Sequence, residues 1–598
     1  MKIRAIVALL SLTAGIAIAY QIRATHPQAA PASLTGYIPQ DALLTIESPD
    51  FATLLHQWNN SAESKAWLTS DNYAVFQNSR LFGRLGDAQT SFAKAAGIPA
   101  GVDLLDQVAG KESVFAWYDI GKLEFLYITR MPAAQAEQVQ LFQARASFQR
   151  RQAGNADFYI RTSSTDYSTV AFARVPGPAG DLVLLATRED LIANALKLIA
   201  APGPADGIRQ EQWFRDVSSA LPAEKPAPAL HMVLNLDRIA HDPHFQSYWI
   251  QRNVTWTRQF RAAASDLYVE PTRFREERVL LPKSAEVQPA ARDLEPLASL
   301  VPPSTGVFRA IATEDPSVAV LAIQEKLLGS YAGPTRDAEY APDPGLTAAQ
   351  AGDTGDLETR IDALPPVSQA ASTEGLAKVF EAAGIDSVLT LSSAQKPVEQ
   401  DGLWVPIHSA VVIHAAGPAN PQSLATALQQ ALRGTLTTAS IGIDFQRSDI
   451  SGATVLALTG PRPLFVAVSL NPAQGNLILL ADDRELLSEL LRNLAVSSPE
   501  QTATPATLIA VFNHSSQLAP YLRIASLIDG TNNKAASSRS TAATASDGGT
   551  GAASTPALFS RNIGSLSEVF RDLQSERVVE HIADSNLRQT VTYNWHAH

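Results

Sequence analysis

The chain has 598 residues, 45% of them hydrophobic and 18% charged, with a formal net charge of −12 and no cysteine. Such a length exceeds one hydrophobic core and requires several domains. The acidic balance, with no Lys/Arg-rich run, argues against nucleic acid as a bulk electrostatic partner. The absence of thiols excludes disulfides, thiolate metal sites, CxxC redox chemistry, thiol nucleophiles, c-type haem attachment and lipoprotein acylation.

Met1-Lys2-Ile3-Arg4 is a short basic stretch ahead of the apolar run AIVALLSLTAGIAIA at 5–19. Ala17-Ile18-Ala19 fits a small-x-small cleavage site, so residues 1–24 read as a signal peptide cut after Ala19. The rival reading keeps 1–24 as a membrane anchor, because the run extended to Ile22 reaches 18 residues, the lower edge of a bilayer span. Both readings export the body of the chain to the periplasm or the outer face of the cytoplasmic membrane.

A first α+β domain is expected over 33–293. Residues 58–85 gather Trp58, Trp67, Tyr73, Phe76, Leu81 and Phe82 in a helical region, which is either a packed insertion or an aromatic groove for a peptide, glycan or lipid. SVFAWYDIGKLEFLYITR reads as two strands about Ile120-Gly121-Lys122, followed by helical spacing at Val139, Phe142 and Ala146. At 181–200, DLVLLATREDLIANALKLIA gives a buried strand, a turn and a helix with one apolar face. A Pro-rich break at 221–229 precedes another strand, and PKSAEVQPAARDLEP at 282–296 is the expected linker.

The second domain, expected over 294–598, repeats these words. NLILLADDRELLSELLRNLA begins at Asn476, and Leu182 aligns with Leu477 without a gap. Each copy keeps the glycine before its strand, Gly180 and Gly475, and Asp482 with Glu485 has capping-box spacing. AAGI at 95–98 returns at 382–385, LHMVLN at 230–235 as LIAVFN at 508–513, and PQDALL at 39–44 as PSTGVF at 303–308. The order is conserved, so an internal duplication is expected. Residues 329–356 and 531–555 are expected to be disordered insertions, for they carry no apolar period. The predicted fold is α+β: largely antiparallel sheets with helices packed on one face, in repeated strand-turn-strand-helix units.

IPQDALLTIESPDFATLLHQW, SKAWLTSDNYAVFQNSRLFGRL, YDIGKLEFLYITRM, LVLLATREDL and MVLNLDRI with FQSYW resemble a group of uncharacterised exported bacterial proteins. That group is related to domain-of-unknown-function family thirty-three fifty-two. The resemblance covers most of the first half and, more weakly, the second. It implies export and duplicated architecture, and brings no activity, cofactor or site residue with it.

No GxSxG, HExxH, Walker-type or GxGxxG motif stands in a usable context. His408 and His414 lie on one face of an expected strand but about 20 Å apart, at ~3.3 Å per residue, and cannot share a metal. His241-Asp242-Pro243-His244 reads as a polar turn, and His596 with His598 as adventitious chelators. Glu276 and Glu277 point to opposite faces of a strand, so they read as ion-pair partners of Arg275 and Arg278. Asn235 and Asn513 recur at equivalent strand ends, where a helix-capping role is the expectation. No catalytic, cofactor-binding or metal residue is assigned, and no cofactor is expected. The expected function is non-enzymatic binding or scaffolding in the cell envelope, with an envelope protein or an apolar, peptide or glycan ligand as partner. The alternative is an exported hydrolase whose site assembles only in three dimensions.

Overall fold

The structure, a computed structural model, describes residues 33–69, 73, 77, 80–99, 104–119, 121–164, 167–200, 207–222, 224, 226–242, 257–270, 273–284, 290–328, 373–394, 407–435, 445–458, 463–471, 475–496, 504–514, 516 and 573–595. The N-terminal segment 1–24 and the two expected disordered insertions, 329–356 and 531–555, lie outside the described residues. Among the described residues no helix is long and apolar enough to cross a membrane. The chain divides into two compact units: Met1–Ala285 with Ser565–Asp572 and Ser585–His598, and Glu286–Gly564 with Leu573–Asp584. The sequence placed the division at 293/294 and ran the second domain to the end; residues 585–598 instead lie in the first unit.

The first unit is an antiparallel sheet with helices. Its strands are β1 (Leu44–Ser48), β2 (Ser113–Asp119), β3 (Glu124–Met131), β4 (Gln149–Ala153), β5 (Ala156–Thr162), β6 (Thr169–Val175), β7 (Asp181–Ala186), β8 (Leu230–Leu234), β9 (Phe260–Val269) and β10 (Arg273–Pro282). They lie in the order β4-β5-β6-β7-β3-β2-β1-β8-β9-β10. Asn586–Trp595, the strand that will be numbered last, adds beyond β10, from Arg273 opposite Asn594 to Leu280 opposite Leu587.

Helices cover both faces of this sheet, where one covered face was expected. All six residues of β7 are buried. Leu182, Leu184 and Ala186 pack in a core with helices α3 (Glu189–Ala200) and α4 (Gln212–Ala220). Val183 and Leu185 pack in another with α1 (Phe51–Asn60) and α2 (Arg80–Ala96). A strand buried on both sides reads as a continuous apolar run, which is what LVLLA is. The helix α1 begins where the Asp50 carboxylate accepts a hydrogen bond from the Thr53 N–H, satisfying one of the free donors of its first turn.

The second unit holds β11 (Val307–Ala312), β12 (Ile385–Ala394), β13 (Ile407–Ala415), β14 (Gln446–Ile450), β15 (Ala453–Leu458), β16 (Leu464–Asn471), β17 (Gly475–Ala481), β18 (Leu508–Asn513) and β19 (Leu573–Ala583). Their order is β14-β15-β16-β17-β13-β12-β11-β18-β19, again antiparallel throughout. Strand for strand this is the order of the first unit from β4 to β9. The strand Asn586–Trp595 of the first unit is β20. Here too both faces are packed: α5 (Pro316–Ile323), α6 (Glu374–Ala383) and α7 (Pro421–Thr435) on Ile478 and Leu480, and α8 (Arg484–Val496) on Leu477 and Leu479. The cap of α8 is Asp483, which accepts from the Leu486 N–H, and not Asp482 as the capping-box spacing suggested. Asp482 is turned to the sheet.

Candidate functional site

Residues directly opposite each other in antiparallel strands project to the same face. In the first unit this rule aligns a polar file across five strands: Glu47 on β1, His231 on β8, Asp266 on β9, Glu277 on β10 and Thr590 on β20. One step along the strands, Thr45, Val233, Ala264 and Val279 occupy the same face, and the last three belong to the main core. The file therefore runs along the margin of the hydrophobic interior.

Asp266 is buried, and His231 Nδ1 lies 2.6 Å from its Oδ1. Glu47 accepts from Ser33 Oγ at 2.6 Å and from Thr35 Oγ1 at 2.6 Å. Those two hydroxyls are thus spent on a carboxylate and are not aimed at the imidazole as a nucleophile would be. Glu277 accepts from Thr590 Oγ1 at 2.8 Å and pairs with Arg275. Arg275 in turn holds both oxygens of Glu224 and lies over the Tyr268 ring, 4.4 Å from its centroid. This ties the segment before β8 to the sheet, and the fork geometry of a guanidinium suits it to that task.

In the second unit the histidines read from the sequence do lie on one strand, β13, and the structure keeps them apart. His414 Nδ1 is 2.6 Å from Asp386 Oδ1, whereas His408 Nδ1 is 3.4 Å from Asp482 Oδ1. Gly475 packs on the His414 ring: its φ is +82°, and a Cβ there would lie 2.2 Å from Nε2. Only glycine meets both demands without strain.

The two aspartates titrate in opposite directions. Burial opposes ionisation of Asp386, yet hydrogen bonds from His414 and Ser387 hold its carboxyl below the ordinary range. For Asp482 burial prevails over the Ser409 N–H and the nearby His408, and the carboxyl is raised. A lowered carboxyl stabilises the fold above its unfolded value, about pH 3.9, and that contribution is lost as pH falls through the folded value. A raised one costs stability as pH rises through its folded value. Asp386→Asn should therefore lower the thermal midpoint of the second unit at pH 7 by about 2–4 °C, while Asp482→Asn leaves it unchanged or raises it. Calorimetry of both variants checks this, and equal losses would contradict it.

The remaining residues singled out in the sequence are placed as follows. His241 Nδ1 lies 2.6 Å from the Asp237 carbonyl, closing a turn, while Pro243, His244, His596 and His598 lie outside the described residues. Glu276 and Glu277 do face opposite ways, paired with Arg278 and Arg275 on their own strand. Asn235 accepts from the Arg238 N–H as a helix cap, whereas the Asn513 amide donates to the Pro303 carbonyl. Trp67, Tyr73 and Phe82 meet edge to face at 6.1 and 6.2 Å, with Tyr73 buried, which is packing. The side chains of Phe76 and Leu81 lie outside the described residues. Sequence reading missed Glu47, His231 and Asp266, which no local spacing connects. Among the described residues no three His, Asp or Glu side chains converge to hold a metal ion.

No protein-family model matches the chain, and no curated protein matches it. Among solved structures, one titled as crystal form I of TP0453 aligns with 44% of this chain and 83% of its own, at 10% identity and a TM-score of 0.23. A likeness at that level carries no argument about fold or function.

Proposed function

We propose that the chain is a non-enzymatic binding or scaffolding protein of the cell envelope, exported through residues 1–24 and built by duplication of one α+β domain. The supporting observation is a pair of equivalent positions. Arg130 faces Leu182 across β3 and β7, and His414 faces Leu477 across β13 and β17. Each of these side chains reaches an acid at the start of the neighbouring strand: Arg130 to Glu112 at 3.0 Å, His414 to Asp386 at 2.6 Å. Next to them, Thr187 accepts from the Phe125 N–H where Asp482 accepts from the Ser409 N–H. Hydrogen-bond complementarity persists while the residue types change. Catalysis depends on particular groups of matched pKa, whereas holding strands in register needs only a complementary pair. The shared strand order and these equivalences support the duplication.

The partner class is an envelope protein or an apolar, peptide or glycan ligand. In-cell cross-linking of the native protein, followed by membrane fractionation and mass spectrometry, tests this. A stoichiometric envelope partner is the expected result. A lone protein that hydrolyses ester or peptide substrates, and loses that activity in His231→Ala, would overturn it in favour of an exported hydrolase.

A further inference from the structure

We infer that the second unit binds the apolar, carboxylate-ended tail of a partner protein along β11, from Thr305 to Arg309, which deepens the binding reading above and rests on it. In β11, Phe308 and Ala310 face the core beneath α8, so Val307 and Arg309 face the other way. Over β12 that other face is packed, since Val388, opposite Ile311, belongs to the core of α5, α6 and α7. Four residues earlier on β11 it is open: Val307 is 37% exposed, although β11 has a neighbour on either side. Phe512 stands opposite Val307 on β18 and is half-buried. Ile407, 56% exposed, lies on the same face, two residues before Ser409 in the file Val307-Ser392-Ser409.

Polar groups bracket this apolar strip. Arg309 is exposed, and among the described residues no acid pairs with its guanidinium, a fork that fits a carboxylate bidentately. At the other end, Asn513 donates from its backbone to the Gly306 carbonyl and from its amide to the Pro303 carbonyl, which brings that segment against the end of β18. The His514 ring there meets Phe512 edge to face at 4.3 Å. Thr305 is 4% exposed, and its Oγ1 and His514 Nε2 are both buried without a hydrogen-bond partner. Burial holds the His514 imidazole below its ordinary range, so it stays neutral near pH 7 and does not compete with Arg309 for an anion. Two unpaired buried polar atoms call for a hydrogen-bonding group, which the end of an alkyl chain lacks and a peptide amide supplies. Both edges of β11 are paired, so an added strand has no backbone row to join and side chains do the reading. Thr305 and Arg309 are four residues apart, ~13 Å at ~3.3 Å per residue, the reach of about four extended peptide residues.

The probe is an N-acetylated tetrapeptide of valine and leucine with a free carboxylate, titrated calorimetrically into the full chain beside its C-terminal amide and dodecanoate. Saturable binding of the acid below about 1 mM is expected, with the amide about tenfold weaker. Arg309→Gln should weaken the acid about tenfold and leave the amide unchanged, and Arg309→Lys should recover part of that loss. Because Arg309 is exposed, these substitutions leave the unfolding midpoint where it was. Val307→Glu, also at an exposed position, sets a like charge beside the carboxylate and should abolish binding without touching Arg309. If acid and amide bind equally, or Arg309→Gln binds the acid as well as the wild type does, the site is wrong. Tighter binding of dodecanoate than of the peptide would overturn it in favour of a lipid-like ligand. An intact peptide that does not bind sinks the site alone, whereas a peptide recovered cleaved sinks the non-enzymatic reading with it.

Discussion

Gly110→Ala is expected to lower the unfolding midpoint of the first unit by roughly 6–12 °C, the consequence of about 3 kcal/mol of overpacking in a unit of this size. A Cβ at Gly110 would stand 2.2 Å from Thr129 Oγ1 and 2.3 Å from the Arg130 carbonyl oxygen. The first of these could rotate away, but the second is backbone in β3 and cannot. Thr129 is not idle either. Its hydroxyl lies 2.7 Å from Ser113 Oγ, which accepts from the buried Tyr127 hydroxyl at 3.0 Å. Burial pushes that phenol up to about 12, so it stays a neutral donor over the working pH range. Moving β3 would break this group of hydroxyls, and buried hydroxyls left without partners are costly. The control is Gly83→Ala in α2, where a Cβ meets nothing within 4 Å. There alanine should stabilise by about 0.5–1 kcal/mol through the usual helical preference. Calorimetry of the two variants side by side gives opposite signs if close approach governs Gly110; two small changes of the same sign would refute it.

Deleting residues 585–598 should do more damage than any single substitution. The deletion strips β10 of its neighbour and removes Val591, Tyr593 and Trp595, which are 0, 4 and 7% exposed. Full burial of an apolar side chain contributes about 1.5–3 kcal/mol, so these three account for roughly 5–9 kcal/mol as an upper bound. A naked β10 edge is also a template for pairing with other chains. The expected result is a first unit that no longer unfolds cooperatively, with rapid hydrogen exchange in β9 and β10 and a strong tendency to aggregate. Val591→Asp in the full chain should reproduce the loss in part, by placing a charge at a fully buried position. If the truncated protein kept slow exchange in β9 and β10, β20 would not be part of the first unit's stable sheet.

What the sequence disclosed was local. The runs around Leu182 and Leu477 announced buried strands because five consecutive apolar residues bounded by turn residues have few other readings. The helices behind them followed from one apolar face. The opposed ion pairs of Arg275, Glu276, Glu277 and Arg278 were legible because alternation along one strand decides which side each residue takes. Cover on the second face was hidden in plain view, since a run with no polar alternation already implies two apolar surroundings. The polar file was not legible at all. His231 and Asp266 are 35 residues apart and meet only because β8 and β9 pair in one register, and a slip of one residue would send them to opposite faces. The same holds for Glu47. The closing segment RVVEHIADSNLRQTVTYNW reads as a strand pair and is one, β19 with β20. Yet nothing local signalled that Asn586–Trp595 also pairs with β10, because strand propensity says what a segment becomes and not what it joins.

That last pairing has a consequence in time. A ribosome adds roughly 5–20 residues per second, so about three hundred residues separate the emergence of β10 from that of β20 by some 15–60 s. Throughout that interval the first half can assemble its cores around β7, but its sheet ends in an open row of backbone donors and acceptors. Among the described residues β9 and β20 are the strands that pair with β10, and β20 comes last. A cell making this protein must therefore shield a specific ten-residue segment, Arg273–Pro282, from other nascent chains until its remote neighbour appears. Slowing elongation over the second half should thus raise misassembly, although no residue of the mature fold has changed.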